Sequence, residues 1–184
     1  MVVVGIDEVG RGCLAGPMVA GAVILREPIE GLKDSKQLSK KQRESLAIII
    51  HKKALAVGLG WVNPSTIDKV GLTEALRMAM RQALAEIKAA YDVIIIDGQY
   101  NFLADNPKVQ VVVKADSTVA AVSAASIVAK VARDQYMTEL ALTYPDYGFD
   151  RHVGYGTALH LERLKRYGIS DQHRLSFKPV SALL

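Results

Sequence analysis

The sequence predicts an α/β domain in which helices cover a mixed β-sheet. Three observations lead to this fold class. Apolar segments of strand length occur first as a pair and then alternate with segments of helical periodicity, an order that is typical of layered α/β domains. The chain has 184 residues, half of them hydrophobic, so it can bury one substantial core. One strand segment lacks a polar face and therefore belongs inside a sheet.

Five segments have the apolar character of strands and are bounded by turn signals. They cover residues 2–7, 18–25, 54–62, 92–97 and 109–113. The first two could pair as a hairpin, because a Gly-Pro turn signal at 16–17 directly precedes the second. The fourth is apolar between its two terminal aspartates, and it is the one that requires cover on both faces.

Four segments have helical character. They cover residues 39–53, 64–91, 118–142 and 157–166. Ser39 caps the first, and Ser65 or Thr66 would cap the second, although Gly71 weakens its first turn. The second repeats Leu and Met at spacings of three and four, so one face belongs to the core. The third begins with small residues, which allow a helix to lie close against a sheet.

Composition excludes several classes of protein. Charged residues make up 23% of the chain, which is ordinary for a globular domain. No apolar run reaches the ~18 residues that a membrane span requires, and we expect no secretory leader before the first strand. Cys13 is the single cysteine, so an internal disulfide is excluded and a cytoplasmic location is expected. A small buried cysteine is the commoner role, and a catalytic thiol is the weaker alternative.

The positive charge is concentrated near the C-terminus. Residues 151–184 carry six Lys or Arg against two Asp or Glu, and this excess equals the net charge of +4 of the whole chain. A basic segment of this kind favours a polyanionic partner such as nucleic acid. The alternative is a basic helix face that is simply solvated.

Four acids lie at the ends of apolar strands or just after them: Asp7, Glu8, Asp97 and Asp116. Carboxylates that converge at one edge of a sheet repel one another unless a cation lies between them. Mg²⁺ prefers oxygen ligands, and two such ions ~4 Å apart promote phosphodiester cleavage. A Gly-Arg-Gly loop at 10–12 directly follows the first pair of acids, an arrangement suited to metal and phosphate.

Each acid also has a structural interpretation. Asp97 precedes a glycine and could open a turn, and Asp116 could cap the helix at 118. Asp7 and Glu8 point to opposite faces of a strand unless the strand ends near Glu8. Asp134 is a weaker candidate, because a local ion pair with the lysine four residues earlier is the simpler role.

Six motifs span nearly the whole chain. They are GIDEVGRGCLAGPMVAGAVIL at 5–25, LKDSKQLS at 32–39, IIIDG at 94–98, KADSTVAAVSAASIVAKVARD at 114–134, YPDYGFDRHVGYGT at 144–157 and HRLSFKPV at 173–180. In content and order they resemble the ribonuclease HII family, the type 2 ribonucleases H. The resemblance implies an RNase H-like fold, a mixed five-stranded sheet flanked by helices with a C-terminal helical extension. It also implies one domain over 1–184, with the core at about 1–143 and the basic helical segment at about 144–184.

The resemblance implies an endonuclease that depends on Mg²⁺ or Mn²⁺, with two ions when substrate is bound. It would cleave RNA in RNA–DNA hybrids and the 5′ side of single ribonucleotides in duplex DNA, leaving 3′-hydroxyl and 5′-phosphate ends. We expect a monomer that acts on these nucleic acids and not at a membrane. Asp7, Glu8, Asp97 and Asp116 match the family's catalytic, metal-binding acids.

The family's substrate-reading residues have counterparts as well. Gly10, Arg11 and Gly12 match the loop that recognises the ribose 2′-hydroxyl at the RNA–DNA junction, and Tyr155 matches the tyrosine that stacks on the junction deoxyribose. The 2′-hydroxyl is the group that distinguishes RNA from DNA, and a glycine-rich backbone can approach it closely. The alternative for Tyr155 is core packing. Possible further phosphate contacts are Lys36, Lys40 and Lys41.

Two other functions stay open on the sequence. A DNA-directed nuclease of the same fold, such as a junction resolvase, would also use clustered acids but would not need to read a 2′-hydroxyl. A non-catalytic nucleic-acid-binding module would bind duplexes unchanged in the presence of a chelator.

Overall fold

A mixed five-stranded sheet forms the centre of the molecule, with strand order β3-β2-β1-β4-β5. The computed structural model describes residues 1–32 and 35–184. The strands are β1 Val3–Val9, β2 Met18–Leu25, β3 Ala54–Val62, β4 Val93–Asp97 and β5 Val109–Val112. The β1–β2 and β2–β3 pairs are antiparallel, and the β1–β4 and β4–β5 pairs are parallel. The predicted hairpin and the interior position of the fourth strand are confirmed.

Helices lie on both faces of this sheet. They are α1 Lys40–Lys53, α2 Pro64–Val70, α3 Leu72–Ala85, α4 Ala115–Thr118, α5 Ala120–Thr143, α6 Phe149–His152 and α7 Ala158–Tyr167, with 3₁₀ turns at Ser35–Gln37 and Val180–Leu183. Ser39 caps α1 through a reciprocal capping box with Gln42, as predicted. Within the described part of the chain, no helix combines the length and apolarity that crossing a membrane requires.

The prediction of a single helix over 64–91 is wrong. Gly71 has a φ of +81°, which ends α2 and starts α3 in a new direction, and this backbone conformation suits glycine. The predicted cap is also wrong, because the side chain of Asn63 accepts the Thr66 N–H at 2.8 Å. α3 then ends at Ala85, well before the predicted boundary.

Two hydrophobic layers hold the helices on the sheet. One layer packs α2 and α3 against β1, β2 and β4, with Ile6, Leu76 and Ile94 at its centre. The other packs α1 and α5 against the opposite face, with Ile50 and Val128 among its buried residues. Because both faces are covered, the central strands are almost wholly apolar, and their polar residues lie at the ends.

Glycines in the strands let two helices approach the sheet at backbone distance. A Cβ at Gly58 or Gly60 of β3 would overlap carbonyl oxygens of α3, and a Cβ at Gly5 or Gly21 would overlap the backbone of α5. The α5 side of this contact is built from the small residues around Ala121, so the predicted close packing of this helix is confirmed. The contact fixes α5 beside the end of β1.

We predict that Gly60→Ala destabilises the fold. The added methyl group would overlap the Ala79 carbonyl, so α3 would have to move away from β3 at a cost of about 3 kcal/mol. Urea unfolding measures this difference. Gly12→Ala is the control, since a Cβ at Gly12 meets no atom within 4 Å. Equal stability of Gly60→Ala and the wild-type chain would contradict the close contact.

Candidate active site

Asp7 and Asp97 lie side by side at the carboxyl ends of two neighbouring parallel strands. Ile6 pairs with Ile96 across the β1–β4 ladder, so the two aspartates follow next to each other in register. Gly5 of β1 contacts α5, and Asp7, two residues on, points to the same side of the sheet. Both aspartates line a cavity of about 240 Å³. A larger groove of about 620 Å³ between α1 and α5 contains none of the four predicted acids.

Glu8 lines the same cavity as the two aspartates. β1 ends at Val9, one residue beyond Glu8, which meets the condition that the strand must end there for Asp7 and Glu8 to share a site. The Glu8 N–H donates to Asp7 Oδ1 at 2.8 Å, and Arg11 Nη1 lies 3.9 Å from Glu8 Oε1. Three of the four predicted acids are therefore gathered around one cavity.

The carboxyl group of Asp7 is buried at some electrostatic cost. Its side chain is nearly enclosed, with the residue 8% exposed. Burial, reinforced by the neighbouring Glu8 and more weakly by Asp97, raises the pKa of Asp7 to about 8, although the Ser126 hydroxyl and the Glu8 N–H oppose the shift. A cation among these carboxylates would relieve the cost, and their oxygens are the ligands that hard divalent ions take. The donor set therefore fits a divalent metal.

Asp116 is placed next to Asp97 by a backbone contact. Asp97 Oδ1 accepts the Ala115 N–H at 2.6 Å, and the Ser123 hydroxyl donates to the Asp116 carbonyl. α5 begins at Ala120 with Val119 at its N-cap position, and Asp116 lies within the preceding helix α4, so the alternative that Asp116 occupies the N-cap position of this helix is wrong. Asp116 itself is buried on α4 and is not among the residues that line the cavity.

In the described residues, the four acids are not close enough together to form a complete set of metal ligands. Among residues 1–32 and 35–184, no three acidic, histidine or cysteine side chains are close enough to hold a metal ion as they stand. Asp7, Glu8 and Asp97 share the cavity, and the Asp97–Ala115 hydrogen bond places α4, with Asp116, beside them.

The loop at 10–12 lines the same cavity. Gly10 has a φ of +85°, and a Cβ there would overlap the Arg133 side chain. A Cβ at Gly12, by contrast, would meet no atom within 4 Å. The Gly12 backbone is thus open to an approaching ligand, while the Arg11 side chain is exposed beside it.

Tyr155 lines the cavity and does not belong to the core. The residue is 39% exposed, which makes the alternative of core packing wrong. Lys130 Nζ lies 5.5 Å from the ring centroid, and the Arg133 guanidinium carbon lies 5.9 Å from it. The ring is therefore supported by two cations and presents its remaining surface to the cavity.

Three buried histidines hold the backbone around Tyr155. Gly154 N–H donates to His152 Nδ1 at 3.2 Å, and His160 Nδ1 lies 2.9 Å from the Tyr155 carbonyl. His160 Nε2 and His173 Nε2 are 3.1 Å apart, a contact that needs one proton between them. Burial lowers the pKa of all three imidazoles, to about 4 for His160 and His173. They are neutral at pH 7 and add nothing to the basic charge of the C-terminal segment.

Other candidates have structural roles. Cys13 is fully buried and burial raises the pKa of its thiol, as expected for a structural cysteine. Lys130 and Asp134 form the predicted ion pair at 2.8 Å. Arg174, one of the six basic residues of the C-terminal segment, is fully buried.

The structure bears differently on the three lysines that were predicted to contact phosphate. The side chain of Lys36 lies outside the described residues, as do residues 33 and 34 of the same motif. Lys40 and Lys41 are exposed on α1 and do not line the cavity. Their contact with phosphate stays a prediction.

Four polar or charged cavity residues were not identified from the sequence: Ser35, Arg43, Ser126 and Lys130. The Ser35 and Ser126 hydroxyls are 2.9 Å apart, and Arg43 Nη1 donates to the Ser35 and Leu38 carbonyls at 3.0 and 2.5 Å. The sequence does contain a periodicity that points to Ser126 and Lys130. Polar residues recur at 123, 126, 130 and 133 of the otherwise apolar segment 120–133 of α5, which places them on one face.

Comparisons with known proteins identify the relatives of this chain. The family model described as Ribonuclease HII matches residues 4–180. Ribonuclease HII of Bacillus cytotoxicus is 45% identical over 184 residues, covering 99% of this chain and 70% of the relative. Ribonuclease HII of Vibrio campbellii is 48% identical, covering 99% and 86%. The crystal structure of ribonuclease H2 from Pyrococcus horikoshii OT3 has a TM-score of 0.85 at 29% identity, covering 100% of this chain and 97% of that one.

We predict that Asp7→Asn stabilises the fold in chelator at neutral pH. A carboxyl whose pKa is raised in the folded state lowers stability as pH rises from about 4 to about 8, since the unfolded chain releases its proton first. At pH 7 the free energy of unfolding of the variant should exceed that of the wild-type chain by about 4 kcal/mol, since one pKa unit corresponds to about 1.4 kcal/mol, and at pH 3 the two should be equal. Denaturant unfolding at both pH values measures this. Asp146→Asn, at an exposed carboxyl, is the control, and an equal gain there would contradict the assignment.

Proposed function

Because the chain belongs to the ribonuclease HII family and is a type 2 ribonuclease H, we propose its substrates, products and site residues as follows. It cleaves the RNA strand of RNA–DNA hybrids and the 5′ side of single ribonucleotides embedded in duplex DNA, leaving 3′-hydroxyl and 5′-phosphate ends. The observation that carries the proposal is the convergence of Asp7, Glu8 and Asp97 on one cavity, which the loop at 10–12 and Tyr155 also line.

The acids would serve as metal ligands. Enzymes of the ribonuclease H family depend on divalent metal ions, and we assign Mg²⁺ or Mn²⁺ to Asp7, Glu8, Asp97 and Asp116, with two ions when substrate is bound. Two such ions activate a water molecule and stabilise the leaving oxygen. The protein's part is to hold the acids together: the β1–β4 register aligns two of them, and the Asp97–Ala115 hydrogen bond brings α4 alongside.

Gly10, Arg11, Gly12 and Tyr155 would read the sugar. The open backbone at Gly12 allows close approach of a ribose 2′-hydroxyl, which both donates and accepts hydrogen bonds. The half-exposed Tyr155 ring can contact the neighbouring deoxyribose. Together these groups distinguish a ribonucleotide followed by a deoxyribonucleotide from continuous DNA.

The C-terminal segment would hold the duplex backbone. Arg151, Lys165, Arg166 and Lys178 are exposed there, and cations at such positions orient a duplex through its phosphates without reading sequence. We propose a single domain over 1–184, with an RNase H-like core at about 1–143 and this segment at about 144–184, acting as a monomer in the cytoplasm.

The test compares two duplexes in Mg²⁺, identical except that one carries a single ribonucleotide. We expect one nick, 5′ to the ribonucleotide, and none in chelator or with Asp7→Asn, which should still bind the duplex. Cleavage of both duplexes would indicate a DNA-directed nuclease. Tight binding without cleavage, unchanged by chelator, would indicate a non-catalytic binding module.

We predict that Gly12→Ala impairs cleavage without affecting the fold. The methyl group has free space in the protein but would stand where the ribose must approach, so kcat/KM on the single-ribonucleotide duplex should fall at least about tenfold. The unfolding free energy should stay within about 0.5 kcal/mol of wild type. Unchanged kcat/KM would show that the ribose does not approach this backbone.

A further inference from the structure

Two arginines are fully buried behind the loop at 10–17. Arg133 comes from α5, and Arg174 comes from the C-terminal segment. In the part of the chain that the structure describes, neither guanidinium has a carboxylate partner within 4.0 Å. Both donate to main-chain carbonyls instead. Burying a cation without an opposite charge is costly, so this arrangement calls for an explanation beyond packing.

Arg133 joins the loop to the segment that carries Tyr155. Its Nε donates to the Pro17 carbonyl at 2.8 Å, and its Nη2 donates to the Ala15 carbonyl at 3.1 Å. Its Nη1 donates to the Val153 carbonyl at 2.7 Å. The donors of a guanidinium have a fixed planar geometry. This one group therefore sets the distance between the loop and the segment that precedes Tyr155.

Arg174 fixes the loop from the other side. Its Nη1 donates to the carbonyl of Arg11, the central residue of the Gly-Arg-Gly triplet, at 3.1 Å. Its Nε and Nη2 both donate to the Gly16 carbonyl, at 3.1 and 2.9 Å. Burial lowers the pKa of Arg174 to about 10, which still leaves the group charged at neutral pH.

Three glycines lie around the Arg133 guanidinium. Gly10, Gly16 and Gly154 have φ values of +85°, +80° and +87°. A Cβ at Gly10 would overlap the Arg133 side chain itself. A Cβ at Gly16 would overlap Met137 Sδ and one at Gly154 would overlap the Ala15 carbonyl oxygen, and these would also lie 3.3 and 3.1 Å from Arg133 Nη2. The Tyr155 ring lies on the same guanidinium. The loop and the tyrosine are thus positioned relative to each other through one side chain.

We propose that Arg133 and Arg174 are positioning residues for ribonucleotide recognition. They hold the loop at 10–12 and Tyr155 at a fixed separation through main-chain carbonyls, so that both can engage the same RNA–DNA junction. Neither side chain contacts the substrate. This inference rests on the proposed function of the loop and of Tyr155.

The test uses Arg133→Lys and Arg174→Lys, which keep the charge but lose the forked donors. The readout is the ratio of kcat/KM on a duplex with one ribonucleotide to kcat/KM on a long RNA–DNA hybrid, well below each melting temperature. A long hybrid does not require a junction to be read, so we expect its cleavage to change less than about threefold. The ratio should fall at least about tenfold, through KM more than kcat.

Met80→Ala is the matched control, because Met80 is fully buried in the layer on the other face of the sheet. This variant should lower the melting temperature and leave the ratio unchanged. A double variant, Arg133→Lys with Tyr155→Ala, tests whether the arginine acts through the tyrosine. Its ratio should equal that of Tyr155→Ala alone, since coupled residues are not additive.

Two results would overturn the proposal. One is an equal loss on both substrates, which would give the arginines a role in stability alone. The other is failure of both lysine variants to fold while Met80→Ala folds. The proposed function is judged separately, by whether the wild-type chain nicks the single-ribonucleotide duplex.

Discussion

Helix α5 contacts the sheet at backbone distance, because Gly5 and Gly21 leave no side chains between them. This contact determines where one polar stripe of the helix lies. Ser126 reaches Asp7, Lys130 reaches the Tyr155 ring, and Arg133 reaches the loop behind the cavity. If side chains separated α5 from the sheet at these two positions, none of these groups would reach the end of β1.

Placing the acids around one cavity lowers the stability of the fold. Asp7 is buried beside two other carboxylates, and its contacts with Ser126 and the Glu8 N–H only partly offset the loss of hydration. Such a cost is expected where charge is needed for chemistry rather than for stability. The same holds behind the loop at 10–17, where two buried guanidinium groups are satisfied by carbonyls instead of carboxylates.

The sequence predicted those parts of the structure that depend on local pattern. The strands at 18–25 and 54–62 have their predicted bounds, because apolar runs between turn signals specify them. The prediction of one helix over 64–91 was wrong because the positive φ of Gly71 interrupts the helix, although the apolar stripe continues across this position. The acids could be named from their places at strand ends. The role of Arg133 could not, because its partners lie more than a hundred residues away at Ala15 and Pro17.

The three glycines around Arg133 have a consequence for how this sequence can change over evolutionary time. All three have a positive φ, but a Cβ would meet a different atom first at each of them: the Arg133 side chain at Gly10, Met137 Sδ at Gly16 and the Ala15 carbonyl oxygen at Gly154. A lineage that shortened the arginine would relieve the overlap with its side chain at Gly10 and leave the overlaps at Gly16 and Gly154 in place. Substitutions at Gly10 and Arg133 are therefore expected to appear together, while Gly16 and Gly154 stay glycine.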